Sequence, residues 1–196
     1  SKAVGGRDLE PGEESDAFKG IAAKLWLHFT EFLKLGADIN CKDEHNKSPL
    51  YIVASNDKWV PAEAYQFGAN VKPANYLLKW LLDWPGIAVN HFNGNEERTA
   101  LQAACTLGFI STVATLIGHA GADANAVSST AATPPLMIAM QGAASQQSES
   151  NRTRGCTFYC NFMATAKYLV HRAGADVNGS AGNGVTPLLF VAQHAP

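Results

Sequence analysis

Short apolar segments rich in small residues recur along the chain, and polar turns that contain glycine separate them. Each segment opens with a three-residue landmark that ends in leucine: Ser48-Pro49-Leu50, Thr99-Ala100-Leu101, Pro134-Pro135-Leu136 and Thr186-Pro187-Leu188. Proline suits the first turn of a helix and a preceding Ser or Thr hydroxyl can cap it, so the landmark predicts a helix start. The small residues that follow predict close packing of this first helix against its neighbour: Ala54, Ala103, Ala104, Ala139 and Ala192.

A second apolar run, with longer side chains, precedes a phrase that begins with glycine. Leu77, Leu78, Leu81 and Leu82 form one such run, which is predicted to fill the space between helix layers. The phrase occurs four times, at Gly36–Asn40, Gly86–Asn90, Gly121–Asn125 and Gly174–Asn178. Its glycine predicts a left-handed helix end. Its aspartates, Asp38, Asp123 and Asp176, are predicted to cap local backbone N–H groups. In the turns that follow, positive φ is predicted at Asn46, Gly94 and Gly184.

The spacing between phrase and landmark is nearly constant. From the asparagine of each phrase to the leucine of the next landmark, the distance is 10 or 11 residues in all four copies. From that leucine to the closing asparagine the distance is 24 residues for Leu101, but 40 for Leu50 and 42 for Leu136. The constant spacing predicts a repeated helix-turn-helix unit, and the two longer spacings predict insertions between first and second helix at 56–72 and 141–160. Both insertions are expected on the edge opposite the turns. The first is interpreted as a packed loop, with a binding loop as the alternative, and the second as mobile in its first half.

These features resemble the ankyrin repeat family, whose unit of about 33 residues combines a β-turn with two antiparallel helices and a Thr-Pro-Leu-His signature. The resemblance runs from about residue 17 to the last residue and is clearest at 99–125, 174–178 and 186–192. In the family, a histidine after the leucine usually helps to link neighbouring turns; here that position holds Tyr51, Gln102, Met137 and Leu189. The resemblance implies an all-α solenoid with a cap at 17–42, units at 43–92, 93–127 and 128–180, and an incomplete unit at 181–196.

Both ends of the array have predicted roles. Residues 1–16 are small, polar and acidic, which favours a flexible leader or linker. Residues 17–35 predict one long capping helix with five apolar residues on one side: Ile21, Leu25, Phe29, Phe32 and Leu33. Residues 186–196 supply a first helix without a second, which indicates either a truncated piece or a chain without its C-terminal cap.

Charge and composition narrow the function classes. The chain has 15 Lys and Arg against 17 Asp and Glu, a net charge of -2, which does not favour nucleic acid as a partner. The longest apolar stretch, 76–84, is far shorter than the roughly 20 residues needed to cross a bilayer, so membrane insertion is not predicted. The N-terminus lacks the features of a secretory signal, and the four cysteines are not needed as disulfides. A cytoplasmic protein is predicted, with the nucleus or a host cytosol as alternatives.

No residue pattern indicates catalysis or a cofactor, because the chain has no nucleophile elbow, phosphate-binding loop or HExxH motif. Cys156 and Cys160 are four residues apart and His171 follows, but a zinc site usually needs four ligands, so ordinary thiols are the favoured interpretation. No catalytic, cofactor-binding or metal-binding residue is therefore assigned, and the chain is predicted not to be an enzyme. The alternative is the targeting module of a larger enzyme or pathogen effector whose catalytic domain lies outside this chain.

The ankyrin resemblance also implies binding to a protein partner, through the concave surface that the turn tips and the first helices share. Matched to this sequence, the first two turns and the ends of the first helices supply the predicted contact residues: Lys42, Asp43, Glu44, His45 and Lys47; Phe92, Asn95, Glu96 and Arg98; Thr106, Gln141 and Gln193. A third tip is predicted at Ser128, Ser129 and Thr130. A monomer is expected, with mixed charge and an exposed Phe92 in the N-terminal half of the surface and an uncharged surface beyond it.

Overall fold

A computed structural model of the chain describes residues 28–55, 74–129, 132–145 and 156–194. Its helices in chain order are α1 (28–34), α2 (Pro49–Ala54), α3 (Ala74–Asp83), α4 (Ala100–Thr106), α5 (Ile110–Ala120), α6 (Pro135–Ser145), α7 (Cys156–Arg172) and α8 (Pro187–His194). These described ranges contain no β-strand, only one isolated antiparallel bridge between Asn93 and Arg98. The predicted all-α class is confirmed for this part of the chain.

The chain divides into two compact units, residues 1–39 and residues 40–196. In the first unit α1 keeps Phe29 and Leu33 half-buried, whereas Phe32 is 62% exposed. The prediction that Phe32 shares the packed side with Leu33 is therefore wrong. Consecutive helical residues point about 100° apart, so a packed side centred on residues 29 and 33 leaves residue 32 at its edge. The predicted leader at 1–16 and the start of the capping helix lie outside the described residues.

In the second unit, helices contact one another in two rows. The first row runs α2, α4, α6 and α8, and the second row runs α3, α5 and α7, with contacts between successive members of each row. Each of α2, α4 and α6 also packs on the second-row helix that follows it in the chain. The core between the rows contains the landmark leucines Leu50, Leu101 and Leu136, each 3% exposed or less. Four of the small residues predicted to pack in the first row are buried: Ala54, Ala103, Ala104 and Ala139. The fifth, Ala192 on α8, is exposed.

Helix starts and ends follow the predicted signals. The Ser48 and Thr99 hydroxyls accept the N–H three residues on, at 3.3 and 3.2 Å, and Thr186 does the same for Leu189 at 3.4 Å. The predicted positive φ is found at the four phrase glycines and in the turns: Gly36, Gly86, Gly121 and Gly174; Asn46, Gly94 and Gly184. Local sequence therefore sets where these helices begin and end.

The repeated phrase links neighbouring units through its asparagine. The Asn40 side chain donates to the carbonyl oxygen of Gly86 and accepts the N–H of Ala88, both at 2.8 Å. Later copies repeat this geometry: Asp123 N–H donates to Asn90 Oδ1 at 2.9 Å, Asp176 N–H to Asn125 Oδ1 at 2.8 Å, and Asn125 Nδ2 to the Gly174 carbonyl at 3.3 Å. Each phrase thus supplies an amide side chain to the next phrase along the row. The predicted aspartate caps are confirmed at Asp123 and Asp176, which accept the N–H groups of Asn125 and Asn178 at 2.8 Å.

The connections between first and second helices differ from the prediction in extent. The predicted insertion at 141–160 is wrong at both ends, because α6 continues to Ser145 and α7 begins at Cys156. Both overlaps have a physical basis. Residues 141–145 are small or uncharged and extend an apolar helix, and the aromatic residues before 163 continue the helical pattern of α7. The predicted insertion at 56–72 lies outside the described residues.

Candidate protein-binding surface

The first turn, residues 41–47, is referred to here as finger 1 and is organised by Asp43. The Asp43 carboxylate accepts the backbone N–H of Lys47 at 2.8 Å and that of His45 at 2.9 Å. The Lys47 N–H, followed by the His45 N–H, lowers the pKa of this carboxyl group. A backbone bond from Asp43 N–H to the Lys47 carbonyl, 3.1 Å, closes the turn. The tip side chains of Glu44 and His45 are 86% and 66% exposed and lie 3.6 Å apart.

The second turn, residues 91–98, is finger 2 and is attached to finger 1. Asn93 and Arg98 exchange two backbone hydrogen bonds of 2.8 and 2.9 Å. The Asn93 side chain is buried, with Oδ1 accepting the Ser48 N–H at 2.9 Å and Nδ2 donating to the His91 carbonyl. Gly94 N–H also donates to the Asn46 carbonyl at 2.8 Å. A further contact joins Lys42 Nζ to the Phe92 carbonyl at 3.4 Å, so two hydrogen bonds cross between the fingers and a third joins finger 2 to Ser48, the residue after finger 1.

Arg98 lies at the centre of a polar cluster where finger 2 meets the first-row helices. Its guanidinium contacts the Glu96 carboxylate at 3.0 Å and donates to Thr106 Oγ1 at 2.9 Å. Burial raises the pKa of the Tyr51 hydroxyl, the charge of Arg98 lowers it and the charge of Glu96 raises it, so Tyr51 on α2 belongs to the same cluster. Thr106 in turn donates to the Gln102 carbonyl at 3.0 Å, which anchors the cluster to α4. The Arg98 side chain is only 29% exposed and is therefore held in one orientation.

The structure brings many of the predicted contact residues together on fingers 1 and 2. Lys47 and Arg98 are half-buried. The others on the fingers and on the adjoining end of α4 are exposed: Lys42, Asp43, Glu44, His45, Asn95, Glu96 and Thr106. The expectation of an exposed Phe92 is wrong, because this side chain is half-buried beside the buried Asn93. Gln141 and Gln193 are exposed but lie farther along the row, on α6 and α8.

The third predicted tip is corrected in part. Ser128 is buried at 5% exposure, whereas Ser129 is exposed, and Thr130 lies outside the described residues. A buried hydroxyl at position 128 is a structural group of the turn and not a tip. The described residues of this turn and of the one at 179–185 carry no charge, so the charged part of the surface is confined to fingers 1 and 2.

Sequence reasoning missed three residues that build this surface: Tyr51, Asn93 and Gln102. Tyr51 and Gln102 had been noted only as replacements for the histidine of the family signature. Gln102 is 1% exposed; its Oε1 accepts the Thr99 N–H at 2.8 Å, and its Nε2 donates to the carbonyls of Ala126 and Thr133 at 3.1 and 2.9 Å. It therefore links neighbouring turns, the role that the resemblance assigns to the histidine. Asn93 had a local signal, the Asn-Gly dipeptide typical of tight turns.

Other kinds of site find no support among the described residues. Within residues 28–55, 74–129, 132–145 and 156–194, no three His, Cys, Asp or Glu side chains are grouped as a metal ion would require. His171 is exposed, and the side chains of Cys156 and Cys160 lie outside the described part, so the interpretation of these two residues as ordinary thiols stays a prediction. None of the helices in the described ranges combines the length and the apolar content needed to span a bilayer.

Comparison with known proteins identifies one segment of the chain. No curated protein matches the sequence. The family model described as Ankyrin repeat matches residues 96–129. This span contains the end of finger 2, the helices α4 and α5, and the phrase Gly121–Asn125. The α4–α5 pair, separated by Leu107–Phe109 with Gly108 in the left-handed conformation, has the helix-turn-helix form of that family. Residues 96–129 of this chain are therefore similar to an ankyrin repeat.

Proposed function

We propose that this chain is a non-enzymatic ankyrin-repeat solenoid that binds a protein partner through fingers 1 and 2 and the adjoining ends of the first-row helices. Ankyrin repeats generally mediate protein–protein interactions. The observation that carries the proposal for this chain is the attachment of finger 1 and the adjoining Ser48 to finger 2 by the bonds from Lys42, Ser48 and Gly94. Two turns distant in sequence thereby form one continuous surface before any partner binds.

Pre-organisation favours fingers 1 and 2 as the binding surface over the uncharged turns farther along the row. Ordering a side chain on binding costs about 0.5–1.5 kcal/mol, and Arg98 is already ordered by Glu96 and Thr106. Arginine and tyrosine are also enriched among residues that dominate binding energies, and Arg98 interacts electrostatically with Tyr51. The proposed centre of the interface is this Arg98 cluster, with the exposed Glu44 and His45 at its rim.

The chemistry of the surface defines the partner as a protein segment of mixed charge. Fingers 1 and 2 carry Lys42, Lys47 and Arg98 against Asp43, Glu44, Glu96 and Glu97. Arg98 is paired with Glu96, and the exposed Lys42, Glu44 and Asn95 add a cation, an anion and a neutral amide that a partner can contact. A strongly basic or strongly acidic partner would meet like charge at one of these groups.

We further propose a cytosolic, monomeric protein. Cys41 and Cys105 are free thiols, one exposed and one buried, which suits a reducing compartment.

A photo-crosslinking experiment tests the proposed surface. A photoreactive amino acid at position 95 is expected to capture a protein partner from lysate, whereas the same group at the exposed position 167 on α7 is not. Titration of the purified partner should then show an affinity loss of at least about 30-fold for Arg98→Glu, since truncation of an interface centre costs about 2 kcal/mol or more. Glu44→Arg at the rim should weaken binding less.

The matched control is Lys79→Glu, an exposed charge reversal on α3 in the second row. Circular dichroism must give the same helical signal for every variant. If Arg98→Glu binds the partner as the parent chain does while Lys79→Glu does not, the partner binds the second row and the proposed face is wrong.

A further inference from the structure

Finger 2 contains an Asn-Gly dipeptide, the sequence most prone to spontaneous deamidation of asparagine. In such a dipeptide the glycine backbone nitrogen attacks the side-chain carbonyl carbon of the asparagine, because glycine has no Cβ to obstruct the approach. The chain has three of these dipeptides: Asn93-Gly94, Asn178-Gly179 and Asn183-Gly184. Asn178 and Asn183 are exposed, whereas both residues of Asn93-Gly94 are buried. The dipeptide in finger 2 is therefore shielded by the fold.

Every group of Asn93-Gly94 that takes part in deamidation is held by a hydrogen bond. Asn93 Oδ1 accepts the Ser48 N–H at 2.9 Å, and Asn93 Nδ2 donates to the His91 carbonyl at 2.6 Å. The Gly94 N–H, whose nitrogen is the attacking atom, donates to the Asn46 carbonyl at 2.8 Å. The bonds with Ser48 and Asn46 join finger 2 to finger 1 and its adjoining residue, so the dipeptide is held in this way only while the fingers are attached.

We propose that Asn93-Gly94 is a deamidation site that the attachment of finger 1 to finger 2 keeps unreactive and that reacts when the fingers separate. The Gly94 nitrogen loses its proton and forms a bond to Asn93 Cγ, the Cγ–Nδ2 bond breaks, and ammonia leaves. Water then opens the succinimide ring. Cleavage of the new Cγ–N bond gives aspartate, and cleavage of the bond between the backbone carbonyl carbon and that nitrogen gives isoaspartate. Water is the co-reactant, and nothing is oxidised or reduced.

Either product weakens the attachment of the fingers. A carboxylate at position 93 has no proton to donate to the His91 carbonyl, and burial of an unpaired negative charge is unfavourable. Asp43 opens finger 1 as Asn93 opens finger 2, and its exposed carboxylate accepts two N–H groups of its own turn. Isoaspartate also lengthens the backbone by one methylene beside the two hydrogen bonds that Asn93 exchanges with Arg98. Because water does not restore the amide, the change is one-way.

The consequence for partner binding rests on the proposed function, because the attached fingers are the proposed binding surface. A partner that contacts both fingers holds them together and so slows the reaction, whereas deamidation of the free chain weakens later binding. The reaction itself requires no partner. Its rate therefore tests the deamidation site separately from the proposed function.

Peptide mass spectrometry of the full chain tests the site directly. The chain is incubated at mildly alkaline pH with and without urea, and formation of aspartate and isoaspartate is followed at positions 93 and 183. In urea the two positions should react at similar rates. Without urea, Asn93 should react at least about tenfold more slowly than in urea, because a reaction that requires local opening is limited by the open population. Equal rates at Asn93 in the two conditions, or no reaction at Asn93 in urea, overturn the proposal.

A matched pair of variants tests whether the finger contact provides the protection. Ser48→Pro removes the N–H that binds Asn93, and proline fits because φ at Ser48 is -82° and Pro134 occupies the same position of its own landmark. Without urea, deamidation at Asn93 should become at least about threefold faster. Ser48→Ala removes the capping hydroxyl but keeps the N–H, and it should accelerate the reaction less. Equal rates in the two variants, with the same helical circular-dichroism signal, overturn the proposal.

The variant Asn93→Asp reproduces the aspartate product. Its Ser48 amide should exchange with solvent at least about threefold faster than in the parent chain, measured by NMR. Asn95→Asp adds the same charge at an exposed position of finger 2 and should leave that exchange unchanged. Unchanged exchange in Asn93→Asp, or a partner that binds this variant as tightly as the parent chain, overturns the proposed effect of deamidation. Failure of the parent chain to capture any partner contradicts the proposed function alone, because the deamidation rates involve no partner.

Discussion

The side-chain amide of Gln102 donates to the carbonyl oxygen of Thr133 at 2.9 Å, across 31 residues of sequence. The same Nε2 donates to the Ala126 carbonyl, while Oε1 closes a capping box with Thr99 at the start of α4. One fully buried side chain therefore joins the helix start of one unit to the turn of the next. In the signature of the family a histidine stands at this position, and here glutamine provides both the acceptor and the donor.

Replacing Gln102 should destabilise the chain more than any exposed glutamine can. Gln102→Ala removes three hydrogen bonds and leaves a cavity, and we expect a loss of about 2–4 kcal/mol in the free energy of unfolding. Gln102→Met keeps most of the volume and should separate the polar loss from the cavity. Urea unfolding followed by circular dichroism measures both values. Gln141→Ala, on an exposed position of α6, serves as the control and should change the stability by less than about 0.5 kcal/mol.

The contrast between Gln102 and the helix ends shows what the sequence can predict. Helix starts at Ser48, Thr99 and Thr186 depend on groups within three residues, and the spacing of these signals was visible directly. The bonds made by Gln102 and Asn93 connect residues 24 to 45 positions apart, so they depend on how units stack. No local sequence pattern predicts how the units stack.

The exposure of residues on the candidate surface could likewise be predicted only where it depends on local sequence. Charged tips at Glu44 and Glu96 were predicted correctly as exposed, because charged residues in turns stay in water. Phe92 was assigned to the surface from its place in the turn, yet the adjacent Asn93 is buried against finger 1 and Phe92 is half-buried with it. Its burial depends on contact between two fingers that are about 50 residues apart, as the Lys42 bond to Phe92 shows.

Asn93 should control the attachment of finger 1 to finger 2. Asn93→Ala leaves the Ser48 N–H without its acceptor, and an unsatisfied buried group costs about 1–3 kcal/mol. We expect faster hydrogen exchange at the amide of Ser48, measured by NMR, together with lower stability. Asn95→Ala, two residues away and exposed, is the control and should leave both quantities unchanged. Unaltered exchange at Ser48 in Asn93→Ala would show that the fingers are joined by other contacts.

Two helical glycines should respond to alanine in opposite directions. A Cβ at Gly142 on α6 would clash with the Phe162 ring of α7, whereas a Cβ at Gly118 on α5 would meet nothing closer than 3.9 Å. Gly142→Ala should destabilise the chain by about 1–3 kcal/mol through overpacking. Gly118→Ala should stabilise it by up to about 1 kcal/mol through helix propensity. Urea unfolding curves of the two variants provide the measurement.

The clash at Gly142 can be verified by a second change. Phe162→Leu costs stability alone, but it removes the ring that opposes residue 142. In the double variant the penalty of Gly142→Ala should therefore shrink, giving a coupling energy of at least about 0.5 kcal/mol. Strictly additive effects would place the cause of the destabilisation somewhere other than the Phe162 ring.

Finger 1 should loosen in acid because of Asp43. Its carboxyl pKa is lowered below the ordinary range of an aspartate, first by the Lys47 N–H and then by that of His45. A group whose pKa is lower in the folded state stabilises that state above its unfolded pKa, and the contribution is lost as pH falls through the folded pKa. Amide chemical shifts of His45 and Lys47 should thus titrate together, with a midpoint below the ordinary pKa of an aspartate. Asp43→Asn is the control and should abolish this titration.

Cys41 and Cys105 should differ in their reaction with iodoacetamide. Burial raises the pKa of the Cys105 thiol far above its usual range, and its side chain is fully buried, while Cys41 is exposed in finger 1. Since the thiolate is the reactive species, Cys41 should be alkylated at pH 8 in the native chain and Cys105 only after addition of urea. Mass spectrometry of the two peptides distinguishes them. Because Cys105 lies on α4, one residue before Thr106 of the Arg98 cluster, alkylation of Cys105 at the rate of Cys41 without urea would mean that this helix opens under native conditions.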